Sequence, residues 1–501
     1  MVRQLSLHVS FRIVGSSIYD DKINKATFKK PAWLTFEVSA LLFWVVALCA
    51  VEPQGNAQEQ PGGAGPQSTP AAVSSGTPAG LLPIPDYSGD LWKRPYLTGD
   101  WDGLRTVLAN KGVQIGVEWD QFVQGVTNGG RAYGTAYGAN LDYTLNLDLM
   151  RMGLIPGALI KFRAETRYGS SVNGIAGPIL PVNTRALFPV TGQLNQEVAF
   201  TITDLNYTQF LSPNLGLFLG KVDTLDGDPN EFASGRGTSQ FMNANFIFNP
   251  ALALRLPYST LAAGLIWMPI PPGLRGGITV SSTVLNTADS STTTGFDDFG
   301  EGTTWQTEAD FQYRLGNLPG GMNVGGLYSF NQNFARLNTK TRLVLQPGQG
   351  VSLVVPSKES TWAAYWSGWQ YLYTASPGTR PLEQISGEPK QQGIGVFGRF
   401  GFADKETNPV EWAANGGIGG RGLIPSRDND CFGVGYYYNS IQTLRLSGLL
   451  GIKDSTQGFE CFYNIAITPA AHLTLDLQVV DSPQERLETA TVLGLRASLD
   501  F

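Results

Sequence analysis

Long segments in which apolar and polar residues strictly alternate constrain the fold of this chain more than any other feature. Leu141, Tyr143, Leu145 and Leu147 occupy every second position of one such segment. Successive side chains of a β-strand point to opposite faces, so this pattern predicts strands with one apolar and one polar face. The segments are about 9–15 residues long, as membrane-spanning strands require, whereas strands of soluble proteins most often have about 5–6 residues. The chain is therefore predicted to be all-β, with strands long enough to span a membrane.

Sixteen such segments can be laid out after residue 112, with tight turns and long loops between them. They are 113–123, 136–150, 157–168, 196–211, 214–223, 260–268, 276–285, 302–314, 320–331, 360–373, 392–403, 408–419, 431–439, 459–468, 471–480 and 490–501. An even strand number with short turns and long loops is typical of bacterial outer-membrane barrels. The predicted fold is a transmembrane antiparallel up-and-down β-barrel of about 16 strands. Residues 374–391 break the rhythm, so they hold an extra element or the count is wrong by one hairpin.

A short helix is predicted over 103–110, before the first strand. Leu104, Val107 and Leu108 would share one face of it. Asp102 stands where a side chain can cap the first turn. After this helix, from residue 113 onward, the alternation is that of strands.

Composition argues against several classes of function. Charged residues make up 15% of the chain, against roughly 25% in soluble domains, and no apolar run reaches the ~18 residues of a spanning helix. The net charge is −6 and no basic patch is evident, which argues against a nucleic-acid partner. Two histidines and three cysteines barely supply the three or four ligands of a zinc site, so no metal, cofactor or catalysis is predicted.

The N-terminal region has the pattern of a secretory signal peptide. Residues 38–51 are apolar or small, Lys29 and Lys30 stand upstream, and a small-residue site follows that ends at Ala57. This order of basic, apolar and small residues predicts export with cleavage after Ala57. Residues 58–96 are predicted to be a linker, because much of this stretch is rich in proline, glycine and serine, and 97–501 to be the barrel with its helix.

Several motifs resemble those of the carbohydrate-selective outer-membrane porins of the OprB type. They are LTGDWDGLR at 97–105, FMNANFIFNP at 241–250, GVFGR at 395–399, GLIP at 422–425 and FGVGY at 432–436. The resemblance implies a sixteen-stranded barrel in the outer membrane that passes small sugars by passive diffusion. Its partners would be the lipid bilayer and the sugars in transit. The terminal Phe501 resembles the signal that barrel-assembly machinery recognises.

If the leucine faces contact lipid, the opposite faces line a water-filled pore. The residues predicted to line the solute path are Glu118, Asp120, Lys161, Arg163, Glu165, Arg167, Arg399 and Arg496. Side chains of both signs offer donors and acceptors to sugar hydroxyls, whereas a ring of one sign selects ions. The loop 224–259 is too apolar to extend into solvent, so we expect it to fold into the barrel and narrow the pore.

Other interpretations stay open at this level. A general or ion-selective porin would have the same barrel. An outer-membrane barrel enzyme would depend on His472, the single histidine downstream of residue 57, and a soluble all-β binding protein would alternate in the same way. The sequence leaves open whether the barrel is a monomer or a homotrimer. We expect Cys431 and Cys461 not to be bonded, because the strand layout separates them by about a barrel height, which exceeds the reach of a disulfide.

Overall fold

The structure is a computed structural model that describes residues 80–186, 198–253, 256–273, 276–296, 300–337, 342–346, 350–354, 356–375, 391–442 and 451–501. The predicted signal peptide and the first part of the predicted linker lie outside these residues. Within the described part of the chain, no helix has both the length and the apolar character to cross a membrane.

Sixteen strands close into one antiparallel barrel. In chain order they are β1 (Val113–Gly130), β2 (Gly134–Asp148), β3 (Ala158–Gly169), β4 (Val198–Ser212), β5 (Leu215–Asp223), β6 (Ser259–Ile270), β7 (Gly277–Asn286), β8 (Thr303–Leu315), β9 (Leu318–Ala335), β12 (Ser357–Thr374), β13 (Gly393–Ala403), β14 (Val410–Arg421), β15 (Cys431–Ile441), β16 (Ser455–Thr468), β17 (Ala471–Val480) and β18 (Glu488–Asp500). Two further strands, β10 (Arg342–Gln346) and β11 (Gly350–Val354), form a separate two-stranded sheet. The barrel closes where β1 pairs with β18.

The predicted strand count is confirmed, because each of the sixteen segments overlaps one barrel strand. β12 pairs directly with β13, with Ser367 opposite Arg399, so no barrel strand lies between them. The irregular segment 374–391 therefore does not change the count. Its residues 376–390 lie outside the described part of the chain.

The lengths of the connections distinguish the two ends of the barrel. We call the end that contains the start of β1 the turn end, because the connections β4–β5, β8–β9 and β16–β17 there have only two residues. The opposite end, which carries the long connections after β3, β5 and β9, is the loop end. Outer-membrane barrels have their short turns on the periplasmic side and their long loops outside.

The barrel is apolar outside and polar inside. Leu265, Trp305 and Leu493 are at least half exposed on the outer face, at 56%, 55% and 50%. Glu165 and Gln478, on inner faces, are fully buried. A soluble protein buries its apolar face against a core, so this arrangement contradicts the soluble binding protein and fits a barrel in lipid.

The interior is filled in part by the long connection between β5 and β6. We call residues 224–253 and 256–258 the inner loop. It contains two 3-10 turns, Thr224–Gly227 and Gly235–Gly237, and two short helices, Ala244–Ile247 and Pro250–Ala253. Phe241 and Phe246 of this loop are fully buried in a cluster with side chains of the barrel wall. The expectation that this loop folds into the barrel is confirmed.

The predicted helix is present as α1 (Leu104–Asn110), but the predicted cap is wrong. Its N-cap residue is Gly103, at a φ of 91°, with no side-chain cap of its own. Asp100 takes the capping role, since its Oδ1 accepts hydrogen bonds from the N–H of Thr106 at 2.7 Å and from its hydroxyl at 2.8 Å. Because Gly103 is itself the N-cap residue, Asp102 lies one residue outside the helix.

Helix α1 is tied to the seam where the barrel closes. Arg105 is buried among the rings of Tyr87, Tyr96 and Trp101, with Cζ 4.1–5.0 Å from their centroids. Its Nη2 donates to the carbonyl of Ile115 on β1 at 2.7 Å. The same nitrogen donates to the carbonyl of Phe501, which follows β18, at 2.9 Å. One guanidinium therefore joins the first and last strands at the turn end.

The two cysteines of the barrel are free, but for another reason than the one expected. Cys431 pairs with Asn464 and Cys461 with Val434, so the two cysteines are on adjacent strands, three positions apart in register. A barrel height does not separate them. Cys431 points inward and donates to the carbonyl of Ser239 on the inner loop, whereas Cys461 lies on the outer face of β16. Side chains on opposite faces of a sheet cannot form a disulfide.

Candidate permeation site in the barrel lumen

Two arginines of the barrel wall hold the inner loop by its backbone. Arg399 is 2% exposed; its Nη1 donates to the carbonyl of Phe246 at 2.8 Å and its Nη2 to that of Ala233. Arg496 is fully buried and its Nη1 donates to the carbonyl of Gly237 at 2.5 Å. Guanidinium groups present several donors in a fixed geometry, so each can hold more than one carbonyl of a loop without regular structure. These two residues, which were predicted to line the solute path, position the inner loop.

A buried carboxyl group on β16 binds backbone N–H groups of the same loop. Glu460 is fully buried and accepts hydrogen bonds from the N–H groups of Met242 at 2.6 Å and Asn243 at 2.9 Å. Phe241, which precedes Met242, packs on Phe462 with ring centroids 4.8 Å apart. These two hydrogen bonds satisfy backbone N–H groups of the buried loop, and ring packing adds to them. The loop is therefore fixed against β16 rather than free in the lumen.

A second connection also enters the barrel, through residues 170–186 after β3. Arg185 is buried and pairs with Asp120 on β1, at 2.9 Å from Nη2 to Oδ2. Its Nη1 lies 3.0 Å from Oδ2 of Asp142 on β2. A buried carboxylate is costly without a partner, so this arginine compensates two charges that face the interior. Asp120, predicted to line the path, is covered by this contact.

At the base of the inner loop, arginines and carboxylates form a connected network. Arg163 on β3 lies 3.2 Å from Asp223 and 2.9 Å from Asp226. Arg236 of the inner loop contacts the same two carboxylates and also Glu165, at 2.9 Å. The side chains of Arg163 and Asp226 remain 20% and 40% exposed. These two groups give the network an accessible donor and an accessible acceptor for a passing solute.

All eight residues of the predicted path belong to strands and face the interior, but at different depths. Lys161 is exposed, and Glu118 and Arg163 are partly exposed. Five others are buried beneath the inner loop or the 170–186 connection. They are Asp120, Glu165, Arg167, Arg399 and Arg496. Contact with a solute stays a prediction for the three accessible residues.

Sequence reasoning missed Arg185, Arg236 and Asp226. All three lie in connections rather than strands, and period-two alternation assigns a face only to a strand residue. The signal that was available was weak: Arg185 stands in a connection with few other charges, and Arg236 stands in one that also contains Asp226, Asp228 and Glu231. Their carboxylate partners, such as Asp120 and Glu165, were found because they lie on strands.

The part of the lumen that the inner loop leaves open contains a cavity of about 620 Å³, which we call the chamber. It lies on the turn-end side of the inner loop. Its walls come from β1–β3, from β8, β9 and β12, and from residues 228–231 and 234 of the loop. Leu82 and Pro83, upstream of α1, border it as well. Lys161 is the one member of the predicted path among its lining residues.

His472, on which a catalytic interpretation depends, has a structural environment. Its Nδ1 lies 2.8 Å from Oδ1 of Asn464 on the neighbouring strand, and its Nε2 lies 3.2 Å from the carbonyl of Pro469. Both ring nitrogens are occupied by these contacts. Neither partner is a nucleophile that a histidine base could activate.

The chain was compared with known proteins and solved structures. A high-pH structure of OprB from Pseudomonas putida superimposes with a TM-score of 0.64 at 20% identity, covering 82% of this chain and 100% of that one. The outer-membrane channel DcaP of Acinetobacter baumannii gives a TM-score of 0.44 at 10% identity, covering 78% of this chain and 97% of that one. A search of curated proteins finds no match. Residues 132–501 match the family described as carbohydrate-selective porin, OprB family, and the chain belongs to that family.

Proposed function

We propose that small sugars cross this outer-membrane porin through the part of the lumen that the inner loop leaves open. The chain is a channel for carbohydrates and not an enzyme, as its family shows. The observation that supports this route is that the inner loop and the open chamber lie against different parts of the barrel wall. The inner loop packs on β13, β15 and β16 through Phe241 and Phe246, whereas the chamber lies between β1–β3 and β8, β9 and β12.

Solutes on this route would meet the accessible end of the charge network and then the chamber. Arg163 offers N–H donors and Asp226 offers an acceptor at the narrowed level. Lys161, on the same face of β3 two residues away, leads into the chamber. Sugar hydroxyls both donate and accept hydrogen bonds, so paired groups of opposite sign can replace water around a neutral sugar. A bare ion is attracted by one partner and repelled by the other.

Liposome swelling with solutes of graded size tests this function. Vesicles containing the purified porin should swell faster in neutral pentoses and hexoses than in charged solutes of matched size. Disaccharides should enter more slowly, because the inner loop occupies part of the cross-section. Rates that depend on solute size alone would instead identify a general porin, and rates that follow the sign of charge an ion-selective one.

The targeting and assembly features are part of the same proposal. We infer that residues 1–57 are removed at export, so mature protein isolated from outer membranes should begin near Gln58. We also infer that Phe501 is recognised by barrel-assembly machinery. N-terminal sequencing of the mature protein tests the first inference, and membrane insertion of Phe501→Ala tests the second.

A further inference from the structure

The chamber is lined by residues whose buried hydrogen-bond acceptors have no partner within the described part of the protein. Asp310, Gln312 and Asn323 all line it, and Oδ1 of Asp310, Oε1 of Gln312 and Oδ1 of Asn323 have no hydrogen-bond partner among the described residues. Asn323 is 4% exposed. Its Nδ2 donates to Glu308 at 3.3 Å, which fixes the amide orientation and leaves Oδ1 free. A buried acceptor without a partner is costly, so this oxygen marks a place for a donor.

The three acceptors lie close together on two neighbouring strands. Asp310 on β8 stands directly opposite Asn323 on β9. Gln312 is two residues further along β8, on the same face, because side chains of a strand alternate. Directly opposed residues have Cβ atoms about 4.5–5.5 Å apart and diagonal neighbours lie about 7–8 Å apart, so the three side chains share one small patch of the wall.

The charge of this wall is not compensated locally. Asp228, another lining carboxylate, is held by Arg399 at 2.5 Å. Asp310 forms no ion pair within the described part of the chain, and one of its oxygens is unpartnered. Lys161 is the one cationic residue among those that line the chamber, and it belongs to the β3 wall rather than to the β8–β9 wall. A cationic donor is therefore favoured beside Asp310.

An aromatic side chain completes the wall. Trp369 on β12 stands opposite Gly321 on β9 and borders the chamber. A Cβ at position 321 would lie 2.7 Å from the indole Nε1, so the glycine allows the indole to lie close against β9. Indole faces attract cations and stack on the apolar faces of sugar rings.

We propose that the β8–β9 wall of the chamber, with Asp310, Gln312 and Asn323, binds the ammonium group of cationic amino sugars. An ammonium has three donors and no acceptor, which matches three unpartnered acceptors of which one is a carboxylate. Trp369 would contact the sugar ring. The inference rests on the proposed function, since the solute must enter the lumen, and adds to it a preference among sugars.

Single-channel current block tests the proposal, with glucosamine, glucose and N-acetylglucosamine as probes at pH 7. In the wild type, glucosamine should block with a dissociation constant about two- to five-fold lower than that of glucose, which is the size of a partly exposed charge pair. N-acetylglucosamine retains the ring but not the charge and should not share this preference. Asp310→Asn should remove the preference for glucosamine. For each variant, the preference is measured as the ratio of the dissociation constants of glucose and glucosamine.

A matched variant distinguishes binding at Asp310 from attraction of the cation by the overall charge of the protein. Asp428, in the turn between β14 and β15, is exposed and outside the chamber. Asp428→Asn removes the same charge at the same end of the barrel and should keep the glucosamine preference. Equal block by glucosamine and glucose in the wild type, or a preference that survives Asp310→Asn, would overturn the site. If no sugar blocks or permeates at all, the proposed function itself is wrong.

Discussion

Arg163 is the arginine of the charge network that a solute can reach most directly. Its side chain is 20% exposed, whereas Arg167 and Arg185 are about 1% exposed. It also holds Asp226, whose side chain is 40% exposed. A charge in contact with lumen water acts on passing ions, while a buried and compensated pair contributes little to the field outside. Ion selectivity should therefore depend on Arg163 more than on its buried neighbours.

Replacement of Arg163 by glutamate should shift the ion selectivity of this part of the lumen from anions toward cations. The change removes one positive charge, adds one negative charge and leaves Asp226 without one of its two arginine partners. The cation-to-anion permeability ratio should rise about two- to five-fold, because each accessible pair contributes at most about 1 kcal/mol. Reversal potentials in a salt gradient measure the ratio. Arg131→Glu, at the exposed tip of the β1–β2 hairpin, is the matched control, and an unchanged ratio in Arg163→Glu would place this residue outside the filter.

At the residue scale, the sequence predicted which face a strand residue occupies but not its depth. Arg399 and Arg496 face the interior as predicted, yet both are buried by the inner loop. Alternation determines the face because it is a local property of the strand. Burial beneath a loop depends on contacts between residues more than 150 positions apart, such as Arg399 with Phe246. No local pattern in one sequence contains that information.

At the scale of elements, the inner loop behaves as part of the wall because several independent anchors hold it. Glu460 binds its backbone at Met242 and Asn243, and Asn415 donates to the carbonyl of Asn245 at 2.5 Å. Phe246 packs on Tyr437 at 5.8 Å. A loop without regular structure needs such partners for its backbone groups when it is buried. The pore should therefore widen when an anchor is removed.

Glu460→Ala should loosen the inner loop and raise the conductance. The change leaves the N–H groups of Met242 and Asn243 buried without an acceptor, which costs about 1–3 kcal/mol for each group. Larger sugars should also enter faster in the swelling assay. Glu488→Ala, at the exposed start of β18, is the control and should conduct like the wild type. A folded Glu460→Ala channel with unchanged conductance and size limit would show that this anchor does not define the pore.

A second element-scale prediction concerns the turn at 422–430. Asp430 accepts hydrogen bonds from Arg427 at 2.8 Å, from the Tyr463 hydroxyl at 2.8 Å and from the N–H of Ala466 at 2.9 Å. Burial acts to raise the pKa of Asp430, but these hydrogen bonds outweigh it and hold the pKa below its ordinary value. A lowered folded pKa means stability that is present above about pH 4 and lost as pH falls further. Asp430→Asn should therefore lower the unfolding temperature at pH 7, and this difference from the wild type should shrink below pH 4.

The strands were predictable and the connections were not. All sixteen barrel strands follow from period-two alternation, and the helix α1 from a short amphipathic segment. Its cap was wrong because Gly103 adopts a left-handed conformation that moves the capping role to Asp100. The apolar content of 224–259 predicted that this loop enters the barrel. Its path across the interior depends on partners from β13 to β18, which only the closed barrel brings together.

At the scale of the whole molecule, the outer surface decides where the protein can be stable. Leu145 on β2 faces outward, and its lateral neighbours in register are Ile115 on β1 and Phe162 on β3. Asn146, the next residue, lines the chamber. Two adjacent residues therefore stand in lipid and in water respectively. A pair of substitutions at these positions compares the two environments without changing the strand.

Leu145→Arg should hinder assembly, because an arginine on the lipid face of a transmembrane barrel is destabilising, by up to about 2–4 kcal/mol at the bilayer midplane. Asn146→Arg introduces the same side chain one residue away, where it points into the chamber beside Lys161, its register partner on β3. This second variant should fold like the wild type and change permeation alone, with slower entry of cations. The folded fraction in outer membranes, read from the heat-dependent mobility of the barrel in gel electrophoresis, measures the difference. Equal folded fractions for the two variants would mean that the outer face of β2 is not in contact with lipid, and would contradict the membrane barrel at the scale of the whole molecule.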